Sequence, residues 1–148
     1  MNIDINNLTE FDLMEARLKT IIETLTEREQ APHDQLSVAF VGDDRMRDMN
    51  EEYYNEDGTT DVLTFDYEDG SIEITLNPYQ HYRQAPDANN TLPEETVENL
   101  VHGYLHTCGY NHLQDNGEHL ERQLELMDEL KTFTDLSSLI SPPEELTE

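Results

Sequence analysis

Eleven residues from His102 to His112, with the sequence HGYLHTCGYNH, constrain this chain more than any other segment. Residues four apart on a helix lie on one face, with their Cβ atoms about 5–6 Å apart. His102 and His106 can therefore present two imidazoles to a single metal ion. Gly109 permits the left-handed turn that commonly ends a helix, and His112 can then fold back as a third ligand. The spacing predicts a helix whose C-terminal end carries a metal site.

The residues before the histidines predict where this helix begins and which face it buries. Pro93 suits the first turn because its fixed φ is helical, and the acidic pair Glu94–Glu95 complements the helix dipole there. We expect a helix from Pro93 to about Cys108. Its apolar stripe consists of Val97, Leu100, Val101, Tyr104, Leu105 and Cys108. At about 100° per residue, both histidines fall beside this stripe, so they are not core-packing residues. Cys108 is predicted to be a buried, inert thiol.

Three imidazoles predict a catalytic metal site rather than a structural one. His102, His106 and His112 would fill three positions of a tetrahedral zinc ion and leave the fourth for water. Because all three ligands are neutral, the ion keeps its +2 charge, and its bound water ionises near pH ~7. Zinc is the first choice, and nickel or another borderline divalent metal stays open. The other histidines are interpreted as ordinary surface or capping residues: His33, His81 and His119.

The same histidine spacing occurs in metzincin peptidases. Those enzymes need Glu directly after the first histidine as the general base, whereas this chain has Gly103. Glycine has no side chain with which to move a proton, so a peptidase of that type is disfavoured.

Four short strands and several helices predict a single domain of the α+β class. The strands are expected at Asn2–Asn6, Leu36–Val41, Val62–Phe65 and Ser71–Leu76, with Asp69–Gly70 as a hairpin turn between the last two. Further helices are expected from Thr9, as the N-cap, to before Pro32, from Asp43 to about Tyr53, briefly within residues 77–90, and from Gly117 to Phe133. Because these elements do not alternate as regular βαβ units, we expect a small mixed sheet of about four strands packed with several helices.

Helical spacing also predicts which faces of the other helices are buried. These faces are Phe11, Met14, Leu18, Ile21, Ile22 and Leu25 in the first helix, Met46 and Met49 in the second, and Leu120, Leu124, Met127 and Leu130 in the last. The end of the chain, residues 137–148, is acidic and contains Pro142–Pro143. We therefore expect a disordered tail that follows a domain of residues 1–136.

Composition bears on partners and location. The chain has 34 Asp and Glu against 8 Lys and Arg, for a formal net charge of −26. Such a chain repels polyanions at long range, and nucleic-acid binding usually needs a basic surface, so composition alone argues against RNA. The single cysteine suits a reducing compartment, and no apolar run approaches the ~20 residues of a membrane span. We therefore expect a cytoplasmic protein without a membrane partner.

Three segments together resemble one known family. HGYLHTCGYNH is similar to the signature HGxLHLxGYDH of the YbeY family, bacterial endoribonucleases that act as rRNA maturation factors. The segment 50–65, NEEYYNEDGTTDVLTF, resembles the family's NxxYRxxDxxTDVLSF, and 70–76, GSIEITL, resembles its GDIxIS strand. The blocks occur in the family's order and spacing, and the similarity spans roughly Asp34 to Leu130.

The resemblance implies both a fold and an activity. It implies an α+β fold, a zinc ion bound by His102, His106 and His112, and hydrolysis of single-stranded RNA. The implied substrate is rRNA of the small ribosomal subunit, in 3′-end maturation and in ribosome quality control. No residue is assigned as the general base, so the catalytic residues other than the metal ligands stay open.

Three departures from the family pattern bear on activity. Tyr54 stands where the family carries Arg, which removes a fixed charge and a two-pronged phosphate donor. Asn111 replaces the Asp before the last histidine, so a carboxylate near the metal becomes a neutral amide, and Ser71 replaces the Asp of GDIxIS. Tyr54 has two interpretations, a hydrogen bond to phosphate or packing. Asp61 is expected to fix the turn into its strand.

These departures keep two functions open. The first is a zinc-dependent single-strand endoribonuclease of reduced activity. The second is a catalytically weakened, metal-stabilised binding module that docks on a basic ribosomal protein or a ribosome-biogenesis factor, a partner that the acidic composition would suit.

Overall fold

The computed structural model describes residues 2–30, 33–109 and 117–146. In chain order the elements are β1 (Asn2–Asn7), β2 (Asp12–Leu13), α1 (Glu15–Glu29), β3 (Gln35–Phe40), α2 (Asp43–Tyr54), β4 (Val62–Asp66), β5 (Ser71–Leu76), α3 (Pro78–Gln84), α4 (Leu92–Thr107), α5 (Glu118–Phe133) and β6 (Ile140–Ser141), followed by a short 3-10 helix, Glu144–Leu146. The predicted α+β class is confirmed, and each expected strand and helix is present within one or a few residues of its expected bounds, apart from the start of α1.

A mixed sheet of four strands in the order β1-β3-β5-β4 organises the described residues. Strands β1, β3 and β5 are parallel, and β4 pairs antiparallel with β5. The antiparallel pair is the hairpin expected at Asp69–Gly70, where Gly70 adopts a φ of +93° that favours glycine. The predicted mixed sheet of about four strands is therefore confirmed.

Successive residues of a strand face opposite sides of a sheet, so the apolar core is divided into two clusters. The larger cluster joins alternate residues of β3 and β5 to the buried faces of α1, α4 and α5. The smaller cluster contains Val41, Leu63 and the two predicted core methionines of α2, Met46 and Met49. The helix that carries the paired histidines, α4, thus packs on the side of the larger cluster.

Helix α4 lies close against the sheet at Gly103. A Cβ added to Gly103 would lie 3.0 Å from Cγ2 of Thr64 and 3.1 Å from Cγ2 of Val62, both in β4, and 3.4 Å from Cγ2 of Ile74 in β5. All three separations are shorter than the optimal carbon–carbon distance of about 3.5–4.0 Å, the first two by the larger margin. The glycine that follows His102 therefore lets the helix backbone rest directly on the hairpin.

The predicted start of the first helix is wrong. Helix α1 begins at Glu15, after the short strand β2, rather than at an N-cap on Thr9. The Thr9 hydroxyl donates to Oδ1 of Asn7 and accepts from the amide of Phe11, so it closes a turn instead. Met14 is 47% exposed, contrary to its predicted burial, whereas the remaining predicted core residues of this helix are buried. The helix ends at Glu29, and Pro32 lies outside the described residues.

The predicted buried face of the last helix is also partly wrong. Leu120 and Leu124 are 58% and 57% exposed. The buried face of α5 consists of His119, Gln123, Leu126, Met127 and Leu130. Both sets repeat at helical spacing, and the sequence interpretation preferred the leucines because they are apolar. The observed buried face includes the polar pair His119 and Gln123, both of which contact His102 of α4. These contacts with another helix therefore outweigh the apolar character of the two leucines.

The expected disordered tail is corrected for residues 137–146. Strand β6 pairs antiparallel with β2, joining Ile140 to Leu13 and Ser141 to Asp12. Leu139 and Ile140 are almost completely buried in the larger cluster. Two large apolar side chains and a strand partner near the N-terminus outweigh the acidic composition of this segment. No helix among the described residues combines the length and apolar character that a membrane span requires.

We predict that Gly103→Leu destabilises the fold by about 1–3 kcal/mol, because a side chain at this position would force α4 away from β4. Urea unfolding measures the change. Glu121→Leu, which adds the same side chain at an exposed position of α5, should stay within about 0.5 kcal/mol of the parent protein. Equal stability of the two variants would contradict the close contact at Gly103.

Candidate metal centre

A capping box fixes the start of the helix that carries the histidines. Thr91 is the N-cap of α4: its hydroxyl accepts from the amide of Glu94, and the Glu94 carboxylate accepts from the amide of Thr91 at 2.8 Å. Such reciprocal bonds satisfy two amides that a helix start leaves without partners. The predicted start near Pro93 is therefore confirmed, and the helix ends as expected before Gly109, whose φ is +99°.

Helix α4 buries its apolar stripe and leaves the two histidines at the edge, as predicted. His102 is half-buried and His106 is exposed. Their ring centroids are 6.4 Å apart, with an angle of 41° between the ring planes. The structure thus brings two of the three predicted ligands together on one side of the helix.

Cys108 lies half-buried at the end of the same stripe. Burial raises the pKa of its thiol to about 11, so the group stays protonated at neutral pH. A protonated thiol is neither a nucleophile nor a metal ligand. The expectation of an inert cysteine is consistent with this environment.

The third predicted ligand, His112, and the neighbouring Asn111 lie outside the described residues. Within residues 2–30, 33–109 and 117–146, no group of three or more His, Cys, Asp and Glu side chains is arranged to hold a metal ion. The three-histidine site therefore stays a prediction, supported by the placement of His102 and His106.

The protonation of His102 follows from its neighbours. Nδ1 of His102 lies 2.8 Å from Oε1 of Gln123, and Nε2 of Gln123 donates to the Glu98 carboxylate at 3.4 Å. A carboxylate can only accept, so the amide nitrogen faces Glu98 and the amide oxygen faces the imidazole. In a neutral imidazole Nδ1 then carries the proton and donates it, which leaves the lone pair on Nε2. This is the tautomer that an Nε2-bound metal requires, so the donor set fits a metal ion.

His119 was interpreted as a surface or capping residue, and that interpretation is wrong. It is 1% exposed, and its ring stacks on His102 with centroids 4.5 Å apart and 21° between the planes. Its Nε2 donates to the carbonyl of His102 at 3.2 Å. His106 is also close, at 5.9 Å between centroids. The four-residue spacing of His119 and Gln123 on α5 is the sequence signal that could have revealed a polar face directed at the site.

The surface interpretation of His81 is likewise wrong. His81 is completely buried, and its Nε2 lies 3.0 Å from the Asp61 carbonyl. Because a carbonyl only accepts, Nε2 donates, and Nδ1 accepts from the Thr96 hydroxyl at 3.1 Å. Burial lowers the pKa of His81 below its ordinary value, so it is a neutral structural residue. His33 matches the predicted capping role, since its Nε2 lies 3.2 Å from the carbonyl of Thr107, the last residue of α4.

A cavity of about 260 Å³ opens beside His102. Its walls are Asp61, Val62, Ala88, Glu95, Glu98, Asn99, His102 and Gln123. The carboxylates in this wall accept hydrogen bonds from side-chain amides: Gln84 donates to both Asp61 and Glu95, and Asn90 to both Glu95 and Glu98. The wall is therefore acidic and held in place by amides.

Asp61 and Tyr54 occupy supporting positions. The Asp61 carbonyl accepts from the amide of Asn77 as well as from His81, which anchors the entry to β4 as expected. The Tyr54 hydroxyl donates to the carbonyl of Thr64, and its ring centroid lies 5.9 Å from that of Phe65. Of the two interpretations of Tyr54, the observed contacts are those of packing.

Comparison with known proteins identifies a family match. The family model described as Endoribonuclease YbeY matches residues 2–131. The Endoribonuclease YbeY of Aliarcobacter butzleri is 34% identical over 137 residues, which cover 87% of this chain and 92% of that protein. The Endoribonuclease YbeY of Nitratiruptor sp. is 35% identical over 123 residues, which cover 78% of this chain and 80% of that protein. The match thus extends through β1 and α1, beyond the segment that carries the sequence resemblance.

A solved structure shares the fold. The solution structure of TM1509 from Thermotoga maritima superposes with a TM-score of 0.66 at 28% sequence identity. The alignment covers 96% of this chain and 98% of that protein. The arrangement of sheet and helices described above is therefore shared along nearly the whole chain.

We predict that His81 contributes to a loss of stability on acidification. Its folded pKa is lowered by burial, so the stabilisation is complete above the unfolded pKa of about 6.5 and is lost as the pH falls through the folded value. Urea unfolding at pH 7.5 and pH 5 measures the loss. His81→Gln should reduce it by up to about 1.4 kcal/mol per pH unit. The half-buried His33, replaced by Gln, is the control, and an unchanged loss in His81→Gln would contradict the assignment.

Proposed function

The chain belongs to the endoribonuclease YbeY family, and from that premise we propose that it is a zinc-dependent enzyme that cuts single-stranded RNA. The proposed substrate is rRNA of the small ribosomal subunit, in 3′-end maturation and ribosome quality control. The observation that carries the proposal is the His102–His106 pair on one face of α4, with the proton of His102 on Nδ1. We propose a cytoplasmic location because ribosomal RNA is matured there.

His102, His106 and the proposed third ligand His112 would hold the ion, and imidazole ligands suit zinc. When bound, such an ion supplies hydroxide at neutral pH and neutralises a phosphate oxygen. The protein's own contribution is to hold the ligands. The buried stripe of α4 fixes the helix, and the stacked ring of His119 covers one side of His102.

The charges around the pair determine how RNA can approach it. Asp61, Glu95 and Glu98 line the cavity on one side of His102 and repel a phosphodiester. His106 is exposed. We therefore propose that the RNA backbone approaches from the side of His106 and that the acidic cavity lies away from the phosphates.

The net charge of −26 implies that the chain binds free RNA weakly. If the substrate is presented within the small ribosomal subunit, the repulsion between enzyme and RNA is partly offset, because basic ribosomal proteins attract an acidic enzyme. We propose single-stranded rRNA in that setting as the substrate and a basic ribosomal protein as a further partner.

A second candidate is a binding module that docks on such a basic protein, or on a ribosome-biogenesis factor, with weakened catalysis. The contacts of Tyr54 favour it. The Tyr54 hydroxyl donates a hydrogen bond to the Thr64 carbonyl, and its ring packs against Phe65. The side chain is therefore occupied within the protein, and as a tyrosine it supplies no positive charge where the family carries Arg.

We predict that the protein loaded with Zn²⁺ cuts a single-stranded RNA and that His106→Ala slows cleavage at least about 100-fold. Loss of partners that only support metal ligands already costs about 10–100-fold. Gel analysis of a labelled RNA measures the rate. Thr132→Ala, at an exposed position of α5, should cleave like the parent. Absence of cleavage by the parent at full metal occupancy would favour the binding module.

We also predict that Tyr54→Arg tightens binding of single-stranded RNA and makes it more dependent on salt. One added phosphate contact should steepen the slope of log affinity against log salt by about 0.7. Fluorescence anisotropy between low and high salt measures both quantities. Tyr53→Arg adds the same charge at the adjacent, more exposed position. Equal effects of the two variants would mean that net charge, rather than this position, controls RNA binding.

A further inference from the structure

We propose that Gln123 is a positioning residue for the metal centre: it fixes the tautomer and ring orientation of His102. The proposal rests on the proposed role of His102 as a metal ligand. Gln123 is 6% exposed although it is a polar residue on the face of α5 that packs against α4. A buried amide needs hydrogen-bond partners, and those of Gln123 lie in α4: Glu98 and His102.

These contacts form a directed chain of hydrogen bonds. The Asn90 amide donates to one oxygen of Glu98 at 2.7 Å, and the Gln123 amide donates to the other at 3.4 Å. Nδ1 of His102 then donates to the Gln123 oxygen at 2.8 Å. Glu98 can only accept, so reversing the Gln123 amide would set its oxygen against a carboxylate. The chain of hydrogen bonds therefore has one direction, and a neutral His102 at its end has an unprotonated Nε2.

The geometry of α4 and α5 makes this chain of hydrogen bonds rigid. Glu98 and His102 are one turn apart on α4, and His119 and Gln123 are one turn apart on α5. His119 stacks on the face of the His102 ring and donates to the His102 carbonyl, while Gln123 engages the ring edge. The imidazole is therefore held from two directions by α5.

Loss of the Gln123 oxygen should have two effects. The proton of a neutral His102 would then distribute between Nδ1 and Nε2, and the ring would rotate more freely. Both effects disfavour metal binding, because the ligand must present an unprotonated Nε2 in a fixed direction. Loss of such a supporting contact typically weakens metal affinity by about 10–100-fold.

Gln123→Met tests the proposal, because methionine keeps the length of the side chain but its thioether sulfur is only a weak hydrogen-bond acceptor. Leu124→Met, at an exposed neighbouring position, is the matched control. The double variant Glu98→Gln with Gln123→Glu keeps the total charge and every hydrogen bond between the two positions, since the amide introduced on α4 can donate to the carboxylate introduced on α5. That carboxylate still accepts from Nδ1 of His102.

Two readouts are measured. Long-range ¹H–¹⁵N correlation spectra of the metal-free protein report the tautomer of each histidine, with His102 assigned by the signals that His102→Gln loses. Competition with a chromophoric chelator gives the affinity for Zn²⁺. We expect the Nδ1-protonated tautomer in the parent, a mixture in Gln123→Met with about 10–100-fold weaker Zn²⁺ binding, and recovery of both in the double variant.

An Nε2-protonated His102 in the parent would overturn the proposal, and so would unchanged tautomer and affinity in Gln123→Met. If Gln123→Met fails to fold, the parent spectrum and the double variant decide, and loss of affinity in the double variant overturns the proposal. These outcomes are distinct from failure of the proposed function. Tight Zn²⁺ binding without RNA cleavage would contradict the endoribonuclease proposal alone, whereas a changed tautomer with unchanged cleavage would leave that proposal intact.

Discussion

The direct contact of α4 with the β4–β5 hairpin is the constraint on which the fold and the site both depend. Gly103 permits this contact because no side chain separates the helix backbone from Val62 and Thr64. The capping box at Thr91 fixes where the helix starts, and the buried stripe fixes its rotation. Once start and rotation are set, His102 and His106 must emerge together at the edge of the core. The orientation of the histidine pair is thus a consequence of packing rather than a separate feature.

Helix α5 contributes two buried polar side chains to its interface with α4. His119 and Gln123 lie on the buried face of α5, although Leu120 and Leu124 have the same four-residue spacing and are exposed. Their burial is tolerated because both engage His102, one through its carbonyl and the other through its ring. A buried polar group without partners is costly, so these residues hold α5 in the position in which those partners are met. The interface therefore links helix packing to the chemistry of one imidazole.

The negative charge of the site and of the whole chain has opposite effects on the two proposed ligands, a divalent metal ion and RNA. The amide-bonded carboxylates beside His102 attract a divalent cation and repel a phosphodiester. The net charge of −26 extends that repulsion over the surface. Tyr54, packed against Phe65, does not offset it. Membership of an endoribonuclease family and a strongly acidic composition are compatible if the proposed metal ion and the proposed basic partner supply the positive charge.

The sequence by itself determined the features that depend on neighbours along the chain. These are the four strands of the mixed sheet, the hairpin at Gly70, the helix that starts near Pro93, the spacing of His102 and His106, and the family resemblance. Only the tertiary structure decided the pairing of β2 with β6, the rotation of α5, the burial of His81 and the contact between Gln123 and His102. The reason is physical. A turn, or the spacing of side chains along a helix, is set by residues a few positions apart, whereas a polar side chain becomes buried only where a partner from a distant segment satisfies it.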